Sequence, residues 1–185
     1  MNPVDWWIGP IIDGKNYSNN VPLHPMPNSD GSWYIDLPQS DGVHYVTIPY
    51  PSLVGFTKMK IRYRIEMADG VKIVPSSDPT LPSIGPTLYF QRIGDNWNSD
   101  GYRWWATFAR VMPMVAGENE VSAPLDFNWT SSNTKTSNSY PNDFALSKQN
   151  TAEVGFTLGG GTGYGHGVYA TGKARLIVED FTLEP

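Results

Sequence analysis

Aromatic rings set among amides, carboxylates and a guanidinium are the residues of this 185-residue chain best suited to chemistry. Trp97 stands in a loop with Asp95, Asn96, Asn98 and Asp100. In the strand expected next, Tyr102, Trp104, Ala106 and Phe108 share one face and Arg103, Trp105 and Thr107 the other, because successive strand residues point to opposite sides. Trp129 opens a polar stretch, and Tyr164 and His166 rise from the glycine-rich segment Gly159–Gly167. A sugar ring offers apolar C–H faces that pack on aromatic planes, and hydroxyls that need amide, carboxylate or guanidinium partners. Trp97, Tyr102, Arg103, Trp104, Trp105, Trp129, Tyr164 and His166 are therefore the candidate ligand-binding residues. One of Trp104 and Trp105 belongs to the core instead, and alternation does not say which.

Other chemistries find less support. Gly167–Ala174 nearly matches a phosphate loop, but Ala174 stands where a hydroxyl should hold magnesium. The following residues, Arg175 to Val178, read as strand rather than as the helix that would bind phosphate. His24, His44 and His166 are isolated in sequence and make no metal-ligand spacing, and no nucleophile-elbow motif occurs. Glu118 and Glu120 could share one strand face, their Cα atoms roughly 6.6–6.8 Å apart. Gly117 and Asn119 beside them point to a solvated hairpin tip instead. No cofactor is required by these residues, and an enzyme is the less favoured reading.

Composition narrows the classes further. With 39% hydrophobic and 17% charged residues, the chain is globular and of a length for one domain. Seven Trp and ten Tyr exceed what a core of this size needs, so some rings should be exposed for recognition. Net charge is −5, and the only run of cations, Lys58, Lys60, Arg62 and Arg64, alternates along one strand, so duplex nucleic acid and anionic membranes are not expected partners. No apolar run reaches membrane-spanning length. Cysteine is absent, which excludes disulfides and thiolate chemistry. The first residues, Met-Asn-Pro-Val-Asp-Trp-Trp, lack the form of a signal peptide, so an extracellular or cell-surface location requires that a leader was removed.

The elements that must position these residues are short strands. Residues 1–31 read as an irregular arm packed on the body, with Trp6 and Trp7 as its anchors. Ser32–Leu37 and Val43–Pro49 read as a hairpin about Gln39–Gly42. Thr57–Met67 is the clearest strand, alternating apolar and charged residues. Val71–Val74, Thr87–Arg92, Gly101–Phe108, a pair Arg110–Val115 and Glu120–Leu125 turning at Gly117, Ala152–Leu158 and Gly172–Leu183 complete the set. Asn128–Asn142 reads as a long polar surface loop. Pro141–Asn150 reads as one or two helical turns with Phe144, Ala145 and Leu146 docking inward. The glycine segment reads as a tight connection between the last two strands, its backbone passing close to packed aromatics. The expected architecture is one all-β domain over 1–185, a two-sheet antiparallel β-sandwich.

The C-terminal half also resembles a known family. Pro124-Leu125, Trp129, Phe144-Ala-Leu146, Val154-Gly-Phe-Thr-Leu-Gly159-Gly160, Gly165-His166-Gly167 and Ala174–Leu183 run in an order similar to the galactose-binding-like jelly rolls of carbohydrate-binding modules. The resemblance covers residues 87–183 best and consists of strand-and-turn patterns. It implies a jelly-roll sandwich, usually non-catalytic and extracellular, that binds a poly- or oligosaccharide through aromatics on a sheet face or at loop tips. It also implies a structural calcium held by an acid near the last strand, which carries over to Asp180. Two alternatives stand beside this reading. One is a structural or adhesive sandwich of a virion or cell surface, forming a homo-oligomer. The other is a jelly-roll polysaccharide lyase or hydrolase drawing an acid and a base from Tyr164, His166, Arg103, Glu118 or Glu120.

Overall fold

Apolar and charged side chains alternate from residue 58 to residue 67, and such a segment buries one face only as a strand in a packed sheet. The computed structural model, which describes residues 1–107, 114–126 and 128–185, shows this strand with Met59, Ile61, Tyr63 and Ile65 buried and the cations between them turned outward. In chain order the strands are β1 (Trp7–Gly9), β2 (Ile11–Ile12), β3 (Lys15–Asn16), β4 (Met26–Pro27), β5 (Trp33–Asp36) and β6 (Tyr45–Pro49). They continue with β7 (Lys58–Met67), β8 (Ile73–Pro75), β9 (Ser83–Arg92), β10 (Arg103–Ala106), β11 (Gly117–Pro124) and β12 (Trp129–Ser131). A helix, α1 (Pro141–Gln149), precedes β13 (Thr151–Gly160), β14 (Val168–Ala170) and β15 (Ala174–Glu184).

Two antiparallel sheets make the sandwich. One has six strands in the order β1-β6-β13-β9-β10-β12, the other five in the order β11-β7-β15-β5-β4. β8 and β14 pair as a small separate ribbon, as do β2 and β3. The inner faces meet in one apolar core. Trp6, Trp33 and Phe156 pack at one end, with Trp6 and Trp33 rings 5.1 Å apart, and Phe90, Trp104, Trp129 and Phe144 at the other. Among the described residues no helix is long and apolar enough to cross a membrane.

The architecture matches the expected all-β sandwich, and several local expectations change. Residues 33–36 and 45–49 are strands but not a hairpin: β5 pairs with β15 and β4, whereas β6 pairs with β1 and β13 in the other sheet. Gln39–Gly42 is a turn between sheets. Gly117 begins β11 rather than turning a hairpin, and β11 lies along β7; residues 110–113 of the expected partner strand, like Phe108, are outside the described residues. In α1, Phe144 and Ser147 are buried, while Ala145 and Leu146 face outward, because the helix rests on the core through a narrow stripe. The glycine segment leads from β13 into β14 and only then to β15, and the polar stretch 128–142 contains β12.

Candidate functional site

The outer face of the six-stranded sheet is the unusual surface. An antiparallel sheet with a packed inner face commonly leaves the other face wet and polar. Here β9 and β13 are buried along nearly their whole length, on both faces. Leu88, Phe90, Val154 and Phe156 point into the core, so Tyr89, Gln91, Glu153 and Thr157 must point outward. What covers them is a second aromatic cluster of Tyr45, Tyr89 and Trp105, with Trp97 and Tyr164 packed against it.

Strand register assembles this cluster. Tyr89 of β9 lies opposite Trp105 of β10 on one side and Gly155 of β13 on the other. Ring centroids of Tyr89 and Trp105 are 5.3 Å apart, those of Tyr45 and Tyr89 5.0 Å, and those of Tyr45 and Trp97 5.7 Å, the last two edge-on. Edge-to-face packing of this kind is favoured by the ring quadrupoles. Burial pushes the Tyr45 and Tyr89 hydroxyls well above the usual tyrosine range. Both therefore stay neutral donors at physiological pH.

A polar chain runs beside the rings. Tyr89 Oη donates to Gln91 Oε1 at 2.8 Å, and Gln91 Nε2 donates to Asp95 Oδ2 at 2.9 Å. Asp95 Oδ1 accepts from the Trp97 N–H at 2.9 Å, an Asx turn that holds Trp97 at φ +65°. Arg103 Nε lies 2.9 Å from Asp95 Oδ2, an ion pair whose N–H is not aligned for a hydrogen bond, while Arg103 Nη2 donates to the Trp97 carbonyl at 2.9 Å. The guanidinium also sits 4.9 Å from the Trp97 ring centroid. Loop, carboxylate and guanidinium thus lock one indole in place. Across the ladder, Glu153 Oε2 accepts from Thr47 Oγ1 at 3.1 Å, and burial raises its carboxyl above the usual glutamate value, with the Thr47 bond opposing.

The glycine segment forms one wall. Gly163 N–H donates to the Gly160 carbonyl at 2.8 Å, closing a tight turn, and the Gly165 carbonyl lies 3.1 Å from His44 Nδ1. A Cβ on Gly165 would stand 2.5 Å from the Tyr45 ring, so only glycine permits this approach. Tyr164 and His166 flank it. Together with Tyr45, Arg103 and Trp105 they line a depression of about 690 Å³, whose far side is the hydroxyl- and amide-rich segment Thr130–Thr136. A second depression of about 390 Å³ lies on the same face, lined by Trp7, Thr47, Gln91, Asp95, Trp97 and Glu153 among others.

Of the residues singled out by sequence, Trp97, Arg103, Trp105, Tyr164 and His166 meet here. Trp105 is the outward member of its pair and Trp104 the core member, fully buried against Phe144. Trp129 is also fully buried, between Phe90 and Phe144, and so cannot meet a surface ligand. Tyr102 precedes β10, with the Arg92 guanidinium 4.5 Å from its ring centroid, and is not part of the cluster. Glu118 and Glu120 are exposed on β11 of the opposite sheet, across the ladder from Arg64 and Arg62. Asp180 is on that sheet too. It accepts from Thr182 Oγ1 at 3.0 Å and faces Arg62 in the ladder, a cation where calcium would need six to eight oxygens. Among the described residues no group of three His, Asp or Glu side chains is placed to hold a metal. The donors around Asp180 do not fit the calcium implied by the resemblance.

Sequence reasoning missed Trp7, Tyr45, Tyr89, Gln91 and Glu153. Trp7 was expected to anchor the arm, which Trp6 does alone: Trp6 is 2% exposed and Trp7 41%. Alternation in 45–49 does place Tyr45 and Thr47 opposite Val46 and Ile48, a signal that could have marked them. A scan against protein-family models finds no match to this chain, and a search of curated proteins finds none.

Proposed function

We propose that this chain is a non-catalytic carbohydrate-binding module that recognises a poly- or oligosaccharide on the outer face of its six-stranded sheet. One observation carries the reading: a depression of about 690 Å³ that joins the partly exposed ring of Tyr164, backed by the nearly buried rings of Tyr45 and Trp105, to Arg103 and a wall of Ser, Thr and Asn side chains. Aromatic planes suit the C–H faces of pyranose rings, and the wall supplies short, neutral donors and acceptors for hydroxyls. The rings are held before any ligand arrives, by each other and by the Asp95–Arg103 lock, which lowers the ordering cost of binding. The resemblance to galactose-binding-like jelly rolls points the same way.

Affinity electrophoresis and calorimetry against a panel of neutral, amino and uronate polysaccharides test the proposal. Binding should weaken about fivefold in Tyr164→Ala, since stacking of a sugar on one ring is worth roughly 1 kcal/mol. Failure of the wild-type protein to bind any member of the panel would overturn it. A structural or adhesive role is the second reading, favoured by Val4, Trp7, Ile11, Leu23 and Met26, all more than 40% exposed on the N-terminal arm. A concentration-dependent oligomer in sedimentation, with no glycan affinity, would favour that role instead.

A further inference from the structure

We propose that the depression between Trp7, Trp97 and Glu153 is a second subsite that takes an ammonium group, so that the preferred glycan is one bearing free amino sugars. The inference rests on the reading of this face as a glycan platform and adds the chemical class of its ligand.

Two carboxylates line the depression and their circumstances differ. Asp95 is answered on all sides: by the Arg103 guanidinium, by Gln91 Nε2 and by the Trp97 N–H. Glu153 has one hydrogen bond, from Thr47 Oγ1, and among the described residues no Lys, Arg or His lies within ion-pair distance of it. A carboxylate withdrawn from water without a counter-charge is costly, and a ligand cation would relieve that cost. The walls suit the same group. Trp7 is 41% exposed and Trp97 half-buried, and an ammonium over or beside an indole is attracted by the ring quadrupole. Arg92 also borders the depression, but its guanidinium is engaged over the Tyr102 ring, 4.5 Å from its centroid. An anionic sugar would meet both Glu153 and Asp95 here, so uronates are disfavoured at this position.

The two depressions are separated by a ridge, the Tyr45–Trp97 ring contact with the Asp95–Arg103 pair behind it. One glycan chain crossing β10, β9, β13 and β6 would place a sugar hydroxyl face in the larger depression and an amino group in the smaller one.

The test uses three oligomers of equal length: a β-1,4-glucosamine oligomer, its fully N-acetylated counterpart and a cello-oligosaccharide. Each is titrated in mildly acidic buffer, where the glucosamine amines are protonated, into wild type, Glu153→Gln, Trp7→Ala and Tyr164→Ala, with the indole N–H resonances followed by NMR. The free-amine oligomer should bind tightest, shift the Trp7 and Trp97 resonances, and weaken roughly tenfold in Glu153→Gln and in Trp7→Ala. Any neutral oligomer should weaken only in Tyr164→Ala. Equal affinity for the acetylated and free-amine oligomers overturns the subsite, as does a Glu153→Gln variant within twofold of wild type. So does binding of the amine oligomer without an indole shift, which would be polycation attraction to a chain of net charge −5. No binding by any of the three oligomers, or binding of the neutral ones alone, overturns the amine subsite; the glycan platform itself falls only if the wider polysaccharide panel also fails to bind.

Discussion

Adding one methyl group at Gly165 should be felt throughout the larger depression. A Cβ built there meets Tyr45 Cε2 and Oη at 2.5 Å, where an ordinary contact between such atoms is about 3.5 Å, so roughly 1 Å must be found. Tyr45 cannot readily give way, because its ring is held edge-on between Tyr89 and Trp97. The loop cannot readily give way either, since the Gly165 carbonyl is tied to His44 and the Gly167 N–H to the Leu158 carbonyl at 2.9 Å. Overpacking of this kind costs about 1–3 kcal/mol. For a domain of this length each kcal/mol lowers Tm by about 2–4 °C, so Gly165→Ala should melt roughly 2–12 °C below wild type by circular dichroism. Gly163→Ala is the matched control, since its Cβ would meet Gly160 O at 3.2 Å and His166 at 3.4 Å, contacts that a small shift relieves. In a Tyr45→Ala background the Gly165→Ala penalty should largely vanish, the coupling expected of residues in contact. A Gly165→Ala protein as stable as wild type, or one equally destabilised with and without the Tyr45 ring, would refute the close-approach argument.

Other expectations follow from the same structure. Trp104→Ala empties a core site beside Phe144 and should cost about 3–5 kcal/mol in chemical denaturation, far more than loss of half-exposed Trp7. Asp95→Asn leaves the Arg103 guanidinium largely buried and without its counter-charge; a loss of about 3 kcal/mol or more is expected, with a freer Trp97 seen as a red-shifted, more quenchable fluorescence. Burial holds the His44 imidazole below its usual value, with nearby His166 acting in the same direction and the Gly165 carbonyl against it. The unfolded chain then binds more protons as pH falls through about 6.5, so wild type should lose stability there relative to His44→Gln, and not above pH 7.5. Glu153 acts oppositely, its raised value disfavouring the fold as pH rises past the usual glutamate range, and cancels in that difference because both proteins carry it. EDTA should leave Tm within about 1 °C, because a bound ion would otherwise have stabilised the fold by mass action.

Periodicity made some of this legible. Residues 58–67 announced both their strand and its buried face, because one strand on one core imposes strict alternation. The same logic misled where a strand is dry on both sides. Ala152–Leu158 and Thr87–Arg92 read simply as strands, and nothing local told that Tyr89 would face Trp105 across a ladder, or Glu153 lie opposite Gln91. Those meetings are set by register between strands far apart in sequence. Gln39–Gly42 failed for a related reason: its turn residues describe a local reversal, not which sheet receives the chain afterward. Trp104 and Trp105 show the limit most plainly, since alternation separates them but only the packed partner sheet decides which one is inside.

The place of β15 bears on how the chain comes to its fold. This strand, residues 174–184, lies between β7 and β5 and, among the described residues, is what joins them in the five-stranded sheet. On a ribosome, β5 and β7 emerge more than a hundred residues before it, so each waits with an open hydrogen-bonding edge and an uncovered apolar face. The sheet therefore cannot close until β15 has emerged, which makes closure a late, long-range event of the slow kind. A truncation before Ala174 leaves two exposed edges at once, the template for intermolecular pairing, so aggregation rather than a smaller stable domain is the outcome.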